Sequence, residues 1–109
     1  MKIELPIILL EGLDCQLYRS LAVAELNLEP WYVDDKFAEM YDAVGRKLGM
    51  STDGAKVRIR PAEDAPTHEQ ELRRRLHEVL VAVDKSPADS LTLKELIELC
   101  ERAGLVYGR

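Results

Sequence analysis

The segment from Pro66 to Leu105 constrains the fold more than any other part of this chain. Leu72, Leu76, Val79, Leu80 and Val83 follow one another at helical spacing, and so do Leu93, Leu96, Ile97, Cys100 and Ala103. At 3.6 residues per turn each set makes one apolar stripe along a helix. The punctuation agrees. Thr67 with Gln70 and Thr92 with Glu95 have capping-box spacing, Ser86-Pro87-Ala88-Asp89 breaks the pattern between them, and Gly104 stands where a helix end calls for positive φ. Two helices that are apolar along one stripe each need a further layer to bury against.

That layer is predicted from the first half of the chain. Met1 to Leu10 reads as a strand buried on both faces toward its end, Glu11-Gly12-Leu13-Asp14 as a turn, and Cys15 to Tyr18 as a short extended piece. Ser20 caps a short helix over Leu21 to Leu26, and Pro30 stops it. From Trp31 the pattern alternates, with Trp31, Val33, Phe37, Glu39 and Tyr41 on one side and Ala38 and Met40 on the other, which predicts a strand. Asp42-Ala43-Val44-Gly45 is then a turn with Gly45 at positive φ, Arg46 to Met50 the returning strand, and Ser51 to Ala55 a second tight turn. Lys56-Val57-Arg58-Ile59-Arg60 alternates strictly, with Val57 and Ile59 inward, and Pro61 ends it. Val106 to Arg109 adds an edge strand or frays. The expected fold is a single α+β domain over 1–109: a small antiparallel sheet of about four strands, a short N-terminal helix, and two C-terminal amphipathic helices packed on one face, in two layers.

Composition limits the functions open to such a fold. A chain of 109 residues with 47% apolar and 32% charged side chains has the make-up of one folded domain rather than of a disordered tail. The apolar run Leu5 to Leu10 is far short of the roughly 20 residues of a membrane span, so a cytoplasmic protein is expected, with no membrane association. Cys15 and Cys100 allow one disulfide, but Cys100 on an apolar helix face reads as a buried free thiol. The net charge of −5 is uneven: positions 1–55 hold ten acids and five bases, and the remainder ten of each. That distribution argues against nucleic acid, whose binding needs clustered Lys and Arg, and suits a basic protein partner.

Candidate site residues cluster at W-Y-V-D-D-K-F, residues 31–37. Asp34 and Asp35 are adjacent, so on a strand they diverge, and neither belongs to a calcium-loop spacing. Asp34-Asp35-Lys36 in its plainest reading is a solvated turn. Trp31, Tyr32, Phe37 and Tyr41 are four of the chain's six aromatic residues. The bulk of Trp31 and Phe37 predicts core positions, and Tyr32 and Tyr41 are expected at the surface beside Glu29, Asp34, Asp35 and Glu39. Exposed tyrosine next to acids is the composition of a protein-binding surface. Arg73-Arg74-Arg75 is neutralised in this reading by Glu69, Glu78 and Glu71, each four residues from its partner. His68 and His77 are nine apart and cannot share a metal, and there is no C-x-x-C, no G-x-S-x-G and no glycine-rich phosphate loop. No catalytic activity, cofactor or metal is therefore expected.

The run Y-R-S-L-A-V-A-E-L-N-L-E-P-W-Y-V followed by E-M-Y-D-A-V-G-R-K-L, residues 18–48, resembles small uncharacterised bacterial proteins of immunity type, in which a Ser-started helix ends in L-E-P and a Tyr-Asp-x-x-Gly-Arg hairpin follows. The resemblance implies a toxin inhibitor that occludes its partner by surface complementarity, and it carries no catalytic residues. Under it Glu29, Tyr32, Asp34, Asp35, Glu39 and Tyr41 would dock on a basic protein such as a toxin, with carboxylates standing in for an anionic substrate. The alternative expectation is a homo-oligomeric regulatory or scaffold module, assembling through an edge strand or the second helix.

Overall fold

The computed structural model describes residues 3–34, 37–61 and 63–106. Five strands, β1 (Ile7–Glu11), β2 (Asp14–Tyr18), β3 (Ala38–Tyr41), β4 (Lys47–Asp53) and β5 (Lys56–Pro61), form one antiparallel sheet in the order β2-β1-β3-β4-β5. Three helices accompany it: α1 (Leu21–Asn27), α2 (Glu69–Ala82) and α3 (Leu93–Arg102). The class is the expected α+β, with one strand more than the sequence suggested. The extra strand is β2, which pairs with β1 through a hairpin whose two-residue loop puts Gly12 at φ 61.

Alternation along the strands sorts the core into two halves. Ile8, Leu10, Cys15, Leu17 and Tyr41 point toward α2 and α3, where they meet Leu72, Leu76, Val79, Leu80, Leu93, Leu96, Ile97 and Cys100. Ile7, Leu9, Tyr18, Met40, Leu48, Val57 and Ile59 point the other way, toward Ala24 of α1 and Leu28, with Tyr32 and Val33 packed on them. The two-layer expectation is thereby extended: α1 and the 3₁₀ turn after it cover the second face. The run of apolar residues in β1 is the consequence, since a central strand with layers on both sides has no solvent-facing side.

The helix ends follow the sequence signals in two cases and depart from them in one. Ser20 Oγ accepts the Val23 amide at 3.1 Å and starts α1. Thr92 and Glu95 form the full capping box, and beyond α3 Gly104 at φ 86 closes a Schellman turn, with the Gly104 amide donating to the Glu101 carbonyl and the Leu105 amide to that of Cys100. At α2 the N-cap is His68, not Thr67. The Thr67 hydroxyl donates instead to Glu63 at 2.9 Å, four residues back, and the His68 amide donates to the Gly45 carbonyl at 3.1 Å, so an upstream carboxylate and a tertiary partner displace the box.

Segment 31–37 also departs from expectation. Pro30–Asp34 is a 3₁₀ turn, with the Tyr32 amide donating to the Glu29 carbonyl, and β3 begins only at Ala38. The fixed φ of Pro30 suits the start of such a turn, and four alternating residues are too few to overrule it. In the next hairpin β4 runs on to Asp53, so the turn shrinks to Gly54-Ala55.

Both sheet edges are occupied at defined points. The Leu17 amide of β2 donates to the Leu105 carbonyl at 2.9 Å, and Val106 makes a single parallel bridge to the same strand; the rest of the tail, for which an edge strand or fraying was expected, lies outside the described residues. On β5 the Ile59 amide donates to the Glu25 carboxylate of α1 at 2.8 Å. Each edge strand thus has one outward amide already engaged within the protein.

Candidate functional site

The six residues singled out by the sequence do not form one surface. Glu29 precedes the 3₁₀ turn, Tyr32 and Asp34 lie in it, and all three belong to the layer of α1. Glu39 and Tyr41 lie on β3, two residues apart, and so both face α2. Asp35 lies outside the described residues.

On the α2 side the candidates are engaged within the protein. Tyr41, expected at the surface, is fully buried. Its hydroxyl donates to Glu71 of α2 at 2.8 Å and lies 3.3 Å from Glu39 and 3.4 Å from Arg75. Burial, together with the two neighbouring carboxylates, pushes the Tyr41 phenol far up, so it stays protonated. Glu39 is paired with Lys47 of β4 at 2.6 Å and with Arg75 at 2.8 Å. Lys47 first, then Arg75 and the Tyr41 hydroxyl, hold its carboxyl below the ordinary range against the opposing effect of burial. The register makes this pairing possible, because Tyr41 stands opposite Lys47 across β3 and β4. The group ties α2 to the sheet, and its charges are neutralised where they stand.

The adjoining turn has the same character. Asp42, buried, accepts from the Arg46 side chain at 2.8 Å and from the amides of Arg46, Val44 and Glu4. Gly45 is at φ 92, and a Cβ there would lie 2.6 Å from the Glu69 Cα. The Tyr-Asp-x-x-Gly-Arg stretch is thus the socket that seats the start of α2.

The basic triplet also diverges from its expected pairing. Arg74 meets Glu78 at 2.9 Å, as the i, i+4 spacing predicts. Arg75 crosses to Glu39, and Arg73 reaches the Leu91 carbonyl at 2.8 Å. Glu71 is engaged by the Tyr41 hydroxyl, and Arg75 pairs with the partly buried Glu39 across the layer. His68 pairs with Glu63 at 2.9 Å and His77 with Asp89 at 3.2 Å, each apart from the other. Among the described residues no group of three or more His, Cys, Asp or Glu is arranged to hold a metal ion.

The α1 side is different. Trp31 stacks on Tyr32, ring centroids 4.0 Å apart, with Tyr32 half-buried against the core and Trp31 56% exposed. Phe37 is 77% exposed and Leu26 84%. The expectation that Trp31 and Phe37 are core is overturned. A seven-residue helix and a single 3₁₀ turn are too small a cover to reach over them, and Leu28, Tyr32 and Val33 take the inward positions. Leu26 lines a cleft of about 480 Å³ with Glu29, Pro30, Lys56, Val57 and Arg58, between α1 and β5. Tyr32 lines a smaller one of about 90 Å³ with Glu11, Asp14 and Gln16 at the mouth of the first hairpin.

No protein-family model, no curated protein and no solved structure matches this chain. The chemistry must come from the surface alone. The larger cleft has mixed charge, since Glu25 and Glu29 face Lys56 and Arg58, and Arg58 sits 3.8 Å from Glu25. The smaller cleft beside Tyr32 is the acidic one, because Glu11 and Asp14 line it. Neither hairpin residue was singled out from the sequence, as they are some twenty positions from Asp34; their turn in Gly12-Leu13 was the only available signal. Aromatic and aliphatic groups beside carboxylates bind by contact and charge.

Proposed function

We propose that this is a protein-binding protein of inhibitor or immunity type that grips a basic partner with its α1 layer. The observation carrying the reading is that Leu26, Trp31 and Phe37 stand exposed in the same segment as Glu29 and Asp34. Large apolar side chains left in solvent mark contact sites, and the stacked rings of Trp31 and Tyr32 make a low-entropy anchor. The acids Glu11 and Asp14 beside Tyr32, with Asp34 two residues along the chain from that ring, steer a cationic surface to the site, and the partner is inhibited by occlusion. In this proposal Glu39 and Tyr41 hold α2 in place and do not touch the partner.

The test is affinity capture from a lysate of the source organism at low salt with three baits: the unaltered protein, the double variant Trp31→Ala/Asp34→Asn, and Glu39→Gln. The expected result is one basic protein retained by the first and third baits and lost from the second, with slower association of the purified pair as salt rises. Equal retention by the double variant would overturn the reading. Capture of this chain alone would point to self-assembly.

A further inference from the structure

The pair of helices α2 and α3 carries a cleft of its own, apart from the α1 layer. It holds about 330 Å³ between α2 and the segment that leads into α3, and Gln70, Arg73, Arg74, His77, Leu91 and Leu96 line it. Its two acids already face bases. Glu78 meets Arg74 at 2.9 Å, and Asp89 stands 3.2 Å from His77 Nε2, which also lies 3.2 Å from the Pro87 carbonyl. Arg73 is the exception. Its Nη2 donates to the neutral Leu91 carbonyl at 2.8 Å, and among the described residues no carboxylate stands within ion-pair distance of it; the pairing with Glu69 that helical spacing predicts does not form. Its Nε is shielded from water and has no hydrogen-bond partner. A guanidinium keeps its charge and offers five N–H donors, and a shielded donor without an acceptor is an exception that calls for a reason. Tying α2 to the chain before α3 needs only the Leu91 contact, and it explains neither the unmatched charge nor the orphaned Nε.

We propose that this cleft is a binding site for a small organic carboxylate, with Arg73 as its anchor. The planar fork of a guanidinium matches the two oxygens of a carboxylate, and an oxygen seated on it is the acceptor that Nε lacks. One unmatched positive charge calls for one negative charge. A phosphate would bring a second, with Glu78 and Asp89 already lining the same cleft. The amide of Gln70, an exposed residue one turn before Arg74, offers a further N–H donor. Leu91 and Leu96 give an apolar wall for the body of the ligand. A volume of about 330 Å³ lies at the small end of the roughly 300–1,000 Å³ of small-molecule sites, which suits a carboxylate bearing one ring or a short chain. The way in is open, because Arg74 and Glu78, on the same stretch of α2, are both exposed.

The experiment titrates the isotope-labelled full chain with benzoate, acetate, inorganic phosphate and chloride at constant ionic strength, read by NMR at the backbone amides and the arginine Nε–H groups and by thermal melting. Benzoate should give saturable shifts confined to Gln70 to His77 and Ala88 to Leu96, move the Arg73 Nε–H signal and raise the Tm. Acetate, which has no body to meet the leucines, should bind more weakly, and phosphate and chloride should not saturate. Arg73→Gln should weaken benzoate by about tenfold or more, the loss of a charge-assisted contact. Gln70→Glu is an exposed change that leaves the Leu91 contact in place, so it tests the site even where Arg73→Gln fails to fold. It should weaken benzoate roughly threefold at an unchanged Tm of the free protein. Benzoate shifts no larger than those with chloride, phosphate binding as tightly as benzoate, or a benzoate affinity that Gln70→Glu leaves unaltered would each overturn the proposal.

Discussion

The two faces of the sheet are closed by unequal means. On one, α2 and α3 place eight buried side chains, from Leu72 to Cys100, against Ile8, Leu10, Leu17 and Tyr41. On the other, α1 contributes only Ala24 as a fully buried residue, and Leu28, Tyr32 and Val33 complete the cover. At roughly 1.5–3 kcal/mol for each large apolar side chain buried, the α2 and α3 face carries most of the helix-on-sheet stabilisation. Polar groups divide in the same way. Glu39, Tyr41, Lys47, Glu71 and Arg75 satisfy one another under α2, whereas the α1 layer leaves Leu26 and Trp31 in solvent, and Phe37 stands exposed before β3. The difference teaches that one face is built for stability, and that the thin cover on the other leaves apolar surface available for contact.

The contrast can be broken most severely from the α2 side. Leu76→Ala removes a fully buried side chain between the helices and the sheet and should cost about 2–5 kcal/mol in urea unfolding at unchanged m. Gly45→Ala should follow: the positive φ alone costs roughly 1–2 kcal/mol, and the 2.6 Å approach to the Glu69 backbone adds to it by displacing the start of α2. The melting temperature of this variant and the loss of far-UV helix signal on mild heating would measure it.

A smaller effect should appear on acidification. Glu39 and Glu63 have carboxyls lowered in the folded state from the ordinary 4.5. Lys47 is the main cause at Glu39, and at Glu63 His68, the Lys47 amide and Thr67 outweigh burial. A carboxyl lowered by folding binds fewer protons folded than unfolded, so its contribution is present well above pH 4.5 and is lost as pH falls through the lower folded value. The Tm should fall on that limb. In Glu39→Gln the deficit relative to the unaltered protein should be greatest near neutrality and should shrink well below pH 4.5; a constant deficit would mean that the charge of Glu39 is not what ties α2 to β3.

The smallest stability effect belongs to the α1 layer. Leu26→Ser, at the most exposed of the large apolar positions, should change unfolding free energy by no more than about 0.5 kcal/mol while weakening partner binding. A loss comparable to that of Leu76→Ala would erase the distinction between the faces.

Some of this was legible before any coordinates. Elements whose signal is local appeared where expected: the Ser20 cap, the Thr92 and Glu95 box, the Gly104 turn, and the alternation of Val57 and Ile59 in β5. The departures are of one kind, a local pattern overruled by its surroundings. Thr67 lost its helix to Glu63, Arg75 left Glu71 for Glu39, and the alternation from Trp31 gave way to a 3₁₀ turn. The Gly45 carbonyl with Glu63 in the first case, Glu39 in the second and Pro30 in the third outweighed a short-range pattern worth a few tenths of a kcal/mol.

By itself the sequence determined the α+β class, the two apolar stripes, the turns at Gly12, Gly45 and Gly104, and the concentration of acid in the first half, because backbone preference and periodicity act over a few residues. Only the tertiary structure decided that a second face is covered, that Tyr41 is buried while Trp31 and Phe37 are exposed, that Glu11 and Asp14 join Tyr32, and that Cys15 and Cys100 are buried in the same core cluster. Exposure and proximity depend on how much surface each packed layer can cover, and that quantity exists only once the layers are assembled.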